Sequence, residues 1–113
     1  MKARPLAGAG NIKVLTYSAW YGMVKPLLRV RVADVRFVIN VLTVINEGRN
    51  PDVEGRPLPA HLAGALDLHR IGMFGQSLGG ATTAQVMLID SRIRAGLSLD
   101  GPIPSTKGAA CIE

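Results

Sequence analysis

The sequence predicts an α/β fold in which two parallel strands are joined by one helix. Three stretches of the 113 residues support this: an apolar run from His69 to Phe74, helix-forming residues from Leu78 to Ile89, and a second apolar run from Arg94 to Leu99. Strand, helix and strand within about 30 residues make a βαβ unit, which is parallel and right-handed. We therefore expect the carboxyl ends of both strands to meet at one edge of a sheet.

A long helix from Pro26 to Glu47 is predicted before this unit. Its many β-branched residues favour a strand by propensity alone. Polar residues nevertheless recur at helical spacing along one side, namely Arg29, Arg36, Asn40, Thr43 and Glu47. Pro26 suits the first turn of a helix, and Gly48 suits the position just after its end. Apolar residues fill the rest of the circumference, so we expect this helix to be covered on more than one side.

The remaining segments carry weaker signals. The sequence favours a strand from Ile12 to Trp20, a loop from Gly48 to His61 with its three prolines, and one helical turn from Leu62 to Leu68. We therefore expect a poorly defined N-terminal segment (1–25), a partial α/β domain (26–104) and a tail (105–113).

The composition excludes several classes of protein. Hydrophobic residues make up 48% and charged residues 19%, as in a globular domain. The net charge is +5, but the basic residues are scattered from Lys2 to Lys107, so we expect no nucleic-acid partner. Cys111 has no partner for an internal disulfide, and no spacing predicts a metal site. Neither a stable membrane span nor an export signal is visible, which leaves the localisation unknown, with the cytoplasm as the default.

One short stretch carries the chemistry. Gly75-Gln76-Ser77-Leu78-Gly79 fits the G-x-S-x-G pattern of a nucleophile elbow, a sharp turn between a strand and a helix. A serine hydroxyl is a weak nucleophile and must stand clear of the backbone where a base can reach it. Gly75 and Gly79 would remove Cβ atoms that collide as strand and helix fold past each other. The N–H of Leu78 would be one donor of an oxyanion hole. The alternative is an ordinary Gly/Ser loop, but the flanking strand and helix favour the elbow.

A second polar residue ends the other predicted strand. Asp100 follows Leu99, so the parallel topology places Asp100 and Ser77 at the same edge of the sheet. The alternative for Asp100 is turn chemistry, because aspartate before Gly101-Pro102 is common in turns.

The stretch LHRIGMFGQSLGGATTAQVMLIDSRIRAGLSLDG, which begins at Leu68, resembles the catalytic segment of α/β-hydrolases. The resemblance is strongest to the branch that contains platelet-activating-factor acetylhydrolases and bacterial lipases and esterases. It rests on the G-Q-S-L-G-G-A-T run, the R-I-R-A-G strand and the L-D pair, and it covers about Leu28 to Ile103. The resemblance implies a partial α/β-hydrolase fold in which Ser77 is the nucleophile and Asp100, 23 residues later, is the acid of a catalytic triad. It further implies a lipid or other small ester as substrate and no cofactor.

The departures from this family pattern also matter. The family's base histidine lies beyond the acid, whereas the only histidines here, His61 and His69, precede Ser77. At about 3.3 Å per residue, His69 would lie roughly 13–17 Å from the serine hydroxyl, outside hydrogen-bond reach. We therefore expect a truncated serine-dependent carboxylic-ester hydrolase that is weakly active or inactive alone and self-associates through open sheet edges. The alternative is a non-catalytic interaction module derived from a hydrolase. A nucleotide-binding unit is disfavoured because the turn lacks G-x-G-x-x-G and the lysine of a phosphate loop.

Overall fold

The computed structural model describes residues 17–101, and within them the side chains of Ala19 and of residues 22–101. The elements are α1 (Tyr17–Asn46), β1 (Ile71–Gln76), α2 (Leu78–Ile89) and β2 (Ile93–Leu99). The two strands pair in parallel, so the predicted α/β class and βαβ unit are confirmed. The predicted tail, Cys111 and residues 12–16 of the predicted N-terminal strand lie outside the described residues.

Helix α2 covers one face of the two-stranded sheet at very short range. A Cβ atom on Gly96 of β2 would overlap the sulfur of Met87 and lie 2.9 Å from the methyl carbon of Thr83. A Cβ atom on Gly80 of α2 would overlap the hydroxyl of Ser98. A Cβ atom at position 80 would also lie 3.1 Å from backbone atoms of Gly75 and Gly101, so glycine is needed there, whereas a Cβ atom at position 96 would displace the side chains of Met87 and Thr83. The core that results is aliphatic and consists of Leu28, Val32, Ile39, Ala81, Val86 and Ile93.

Helix α1 begins at Tyr17, not at Pro26 as predicted, and Pro26 lies inside it. Proline has no N–H and removes one backbone hydrogen bond from the interior of a helix. The N–H groups of the first turn have no partner within the helix, so the sequence predicted that Pro26 lies there. The helix nevertheless continues through Pro26, and the predicted strand is therefore wrong for residues 17–20.

The carboxyl end of α1 agrees with the prediction for Gly48. Gly48 has a φ of +83°, its N–H donates to the carbonyl of Ile45 (2.9 Å), and the N–H of Arg49 donates to the carbonyl of Val44 (3.1 Å). This pair of bonds is a Schellman motif, which requires a left-handed residue and so favours glycine.

The loop between α1 and β1 is tied to the end of α1. The side chain of Asn46 donates to the carbonyl of Leu66 and accepts from its N–H, both at 3.0 Å. The predicted helical turn from 62 to 68 is absent, and separate turns take its place, with residues 65–67 between them in none. The reason is Gly64, whose φ of +75° interrupts any helical run.

Strand β1 begins two residues later than predicted. The carboxylate of Asp67 accepts hydrogen bonds from the N–H of His69 (3.1 Å) and from Nε of Arg70 (2.5 Å). These bonds hold residues 67–70 in a turn, so the strand starts at Ile71 and runs on to Gln76. Strand β2 and helix α2 match their predicted ranges to within one residue.

A buried carboxylate joins the βαβ unit to α1. Asp90 follows α2 and has only 6% of its surface exposed. It accepts hydrogen bonds from Nε (2.8 Å) and Nη2 (2.6 Å) of Arg92, and Nε of Arg36 on α1 lies 3.4 Å away. Nη1 of Arg92 in turn donates to Oδ1 of Asn40 on α1 (2.7 Å). The hydrogen bonds from Arg92 hold the pKa of Asp90 well below its ordinary value, although burial acts in the opposite direction.

Replacing Asp90 by Asn should lower the free energy of unfolding by about 2–4 kcal/mol near neutral pH, because Arg92 and Arg36 lose a buried partner. Since the folded pKa of Asp90 lies below its unfolded value of about 3.9, the stabilisation is complete above that value. It is lost as the pH falls towards the folded pKa, so the gap between wild type and Asp90→Asn should narrow near about pH 3.

Urea unfolding followed by circular dichroism at both pH values measures this gap. The matched control is Glu54→Gln, which changes a carboxylate to an amide on the exposed loop and should leave the unfolding midpoint in place. Equal midpoints for Asp90→Asn and wild type at neutral pH would contradict the assignment.

Candidate active site

Ser77 occupies the single-residue junction between β1 and α2. Its backbone has φ +51° and ψ −118°, and its side chain makes no capping hydrogen bond to the first turn of α2. A positive φ costs a residue with a side chain about 1–2 kcal/mol. Strain of this kind persists only where the surroundings impose it, and it clusters at functional sites. Ser77 is also exposed, so its hydroxyl is accessible from solvent.

Asp100 occupies the equivalent position after β2. Gln76 pairs with Leu99 in the strand register, so Ser77 and Asp100 are the next residues on adjacent strands, whose axes lie about 4.8 Å apart. The N–H of Ser77 donates to the carbonyl of Leu99 at 2.8 Å, which extends the ladder to this edge. Asp100 is exposed and has a φ of +50°. Both predicted site residues are therefore placed together, and both are strained.

Small residues hold the two strand ends against α2. A Cβ atom on Gly101 would lie 2.7 Å from the carbonyl oxygen of Ser77 and 2.8 Å from the nitrogen of Ala81. The hydroxyl of Ser98 lies between the same segments and donates to the carbonyl of Gly101 at 3.4 Å. Ser98 and Gly101 carried no signal of their own in the sequence, because a glycine after Asp100 is already explained as turn chemistry.

The two glycines of the G-x-S-x-G pattern play different steric roles. A Cβ atom on Gly75 would overlap the backbone of Gly79, with the Cα of Gly79 2.8 Å away. A Cβ atom on Gly79 would meet nothing within 4 Å. The turn therefore requires glycine at position 75 and leaves open space at position 79, whereas the sequence predicted the same requirement for both.

Leu78 is the first residue of α2 and is half-buried. The N–H groups in the first turn of a helix have no carbonyl partner within that helix. The N–H of Ala81 donates to the carbonyl of Ser77 at 3.1 Å. The N–H of Leu78 comes earlier in the turn and carries the partial positive charge of the helix end, which suits a developing oxyanion.

Neither histidine is hydrogen-bonded to Ser77. His69 lies before the start of β1, and Ser77 follows its end, so a strand that rises about 20 Å over its length separates them. His61 is exposed in the loop that follows α1 and has a φ of +63°. The separation of His69 from Ser77 is longer than the predicted distance of about 13–17 Å, and it likewise leaves His69 outside hydrogen-bond reach of Ser77.

Residues 17–101 contain neither a candidate metal site nor a candidate membrane span. No group of three His, Cys, Asp or Glu side chains in this range could hold a metal ion. None of the helices in the same range combines the length and the apolar composition needed to cross a membrane.

Substituting Ala at Gly75 and at Gly79 should affect stability with opposite signs. Gly75→Ala forces the strand and helix apart and should lower the free energy of unfolding by about 1–3 kcal/mol. Gly79→Ala places a methyl group in open space inside a helix and should raise it by up to about 1 kcal/mol. Urea unfolding of both variants measures the difference. Equal destabilisation by the two substitutions would show that the steric asymmetry is wrong.

The chain is similar to a known protein family over most of its length. The family model described as platelet-activating factor acetylhydrolase, isoform II, matches residues 14–105, a range that includes all four elements and both Ser77 and Asp100. Comparison with the curated proteins gives no match. Because the matched range spans most of the 113 residues and contains the predicted βαβ unit, the chain belongs to the platelet-activating factor acetylhydrolase isoform II family.

Proposed function

We propose that the chain carries the nucleophile of a serine-dependent carboxylic-ester hydrolase that acts on a lipid ester. Family membership supports ester hydrolysis by the complete protein. The observation that carries the assignment to a residue is the strained backbone of Ser77 in a one-residue turn between β1 and α2. An exposed serine immediately before the N-terminus of a helix supports the interpretation of this turn as a nucleophile elbow. No metal or cofactor is needed for this chemistry.

In this mechanism, Oγ of Ser77 attacks the ester carbonyl carbon, and its proton passes to a base. The negative charge that develops on the carbonyl oxygen is stabilised by the N–H of Leu78 and by a second donor. Collapse of the tetrahedral intermediate breaks the bond to the alcohol, which leaves with the proton from the base. Water then attacks the acyl-serine ester, and the carboxylic acid leaves as Oγ regains its proton. Asp100 would orient a histidine base and stabilise its protonated form.

The base is the component that the described residues do not place. His69 lies at the opposite end of β1 from Ser77, and His61 lies in the loop after α1. We therefore propose that the base and the second oxyanion donor come from other residues of a complete hydrolase. The chain alone should be weakly active or inactive, since a triad without one member retains only about 10³–10⁴-fold acceleration over water.

A fluorophosphonate probe tests the nucleophile directly, because it forms a covalent bond with an activated serine. We expect slow labelling of the chain, and faster labelling when imidazole is added in solution to replace the missing base. The Ser77→Ala variant should not be labelled under either condition. Mass spectrometry of the labelled chain identifies the modified residue, and a p-nitrophenyl acetate assay beside it measures turnover.

The matched control for this experiment is Ser91→Ala, which removes another exposed serine, in the turn between α2 and β2. Ser91→Ala should be labelled as fast as wild type. Labelling that survives in Ser77→Ala would overturn the assignment. So would a folded wild-type chain, verified by circular dichroism, that stays unlabelled even with imidazole.

A second candidate function is a non-catalytic interaction module. One observation favours it: α1 exposes large apolar side chains, which are Met23, Leu27, Val30, Phe37 and Val38. A module of this kind would have no reactive serine, so the same labelling experiment separates the two functions.

A further inference from the structure

Helix α1 carries two apolar stripes. The inner stripe, Leu28, Val32, Val35 and Ile39, packs in or against the core. The outer stripe consists of residues 23, 27, 30, 34, 37 and 41, which alternate spacings of four and three, and all are apolar except Asp34. Its side chains are largely exposed: Met23 62%, Leu27 57%, Val30 59% and Phe37 66%. The sequence predicted cover on more than one side of this helix. Near its carboxyl end Ile45 is also buried and Val41 is half-buried, so the described residues leave the outer stripe uncovered from residue 23 to residue 37.

The geometry of a helix explains why one contact cannot cover both stripes. At 3.6 residues per turn, the centres of the inner and outer stripes lie about 150° apart around the helix axis. Helix α2 occupies the inner side, and β1 and β2 lie beyond it. Residues 23, 27, 30 and 37 of the outer stripe therefore lie on the side opposite α2, whereas Asp34, with Arg31 beside it, also borders a cleft lined by Met73 and Phe74 of β1.

A row of large apolar side chains exposed on one helix is typical of an interaction surface. The alternating spacing of four and three is the pattern with which one helix packs along another. The charged residues beside the stripe indicate what kind of partner it binds. Arg31 and Asp34 are the only ionised residues on or beside the outer stripe, and neither forms an ion pair among the described residues.

We propose that the outer stripe of α1 pairs with the outer stripe of a second copy of this chain, in antiparallel orientation. An antiparallel pair centred near Val32 sets Met23 opposite Val41 of the second copy and Leu27 opposite Phe37. It also brings Arg31 of each copy beside Asp34 of the other, so that both ions gain a partner of opposite charge. A parallel pair in register would set the two Asp34 carboxylates against each other in an apolar seam, which is unfavourable.

The dimer is independent of the proposed catalytic chemistry, since Ser77 and Asp100 lie on the sheet edge and not on α1. It also differs from association through open strand edges, which the outer stripe does not contact. Substitutions in the stripe should therefore change the oligomeric state without changing fluorophosphonate labelling of Ser77.

Multi-angle light scattering after size-exclusion chromatography of the full chain tests the pairing. We expect a mass of twice 12.0 kDa that falls to 12.0 kDa on dilution. Leu27→Glu with Phe37→Glu should give the monomer at every concentration. The matched control is Val53→Glu, an apolar-to-acidic change at a side chain that is 99% exposed in the loop, and it should stay dimeric. Circular dichroism confirms that each variant keeps its helices.

Charge exchange distinguishes the second copy from any other partner. Asp34→Arg alone and Arg31→Asp alone should each raise the dissociation constant of the dimer about tenfold, because like charges then meet. The double variant Arg31→Asp/Asp34→Arg restores opposite charges in the antiparallel pair and should recover the wild-type dissociation constant.

Three outcomes would each overturn the proposal: a monomeric wild type, open-ended assembly, or a folded Leu27→Glu/Phe37→Glu variant that remains dimeric. Failure of the double variant to recover the constant would overturn the antiparallel pairing.

Discussion

The close approach of α2 to the two strands is the constraint on which the other features of the structure depend. It is possible because the positions where α2 meets the sheet lack side chains, namely Gly75, Gly80, Gly96 and Gly101. With the helix this close, only one residue fits between the end of β1 and the start of α2, and that residue is Ser77. The strain at Ser77 thus follows from the packing of glycines on both sides of the turn, Gly75 and Gly80, and of two that are distant in sequence, Gly96 and Gly101.

The same packing also fixes the position of Asp100 at the end of β2. Gly101 lies against the carbonyl of Ser77, so Asp100 cannot move away from the turn without opening the contact between α2 and the sheet. Two exposed polar residues are thereby fixed by buried contacts beneath them. Buried support of this kind sets the positions of both residues before any ligand arrives.

Much of this arrangement could be predicted from the sequence, and the failures have physical causes. The bounds of α2 follow from helix formers between Ser77 and Asp90, and the adjacency of Ser77 and Asp100 follows from parallel topology. The predicted start of α1 at Pro26 was wrong because Pro26 is tolerated inside the helix. The different needs at Gly75 and Gly79 could not be read from the sequence, because they depend on which backbone atoms face each Cβ direction.

Strand β2 contains one residue more than strict pairing with β1 requires. Ile71 pairs with Ile93, but Gly72 pairs with Ala95, so Arg94 is extra and the strand changes phase there. As a result Ile93 is buried under the helices while Leu97, four residues on, is exposed on the opposite face. If Arg94 paired with Gly72 instead, every later side chain of β2 would turn the other way, with leucines towards α2 and Ser98 towards solvent. The extra residue therefore sets which face of β2 meets the helix: it turns Gly96 and Ser98 towards α2, where the close approach leaves room only for small residues.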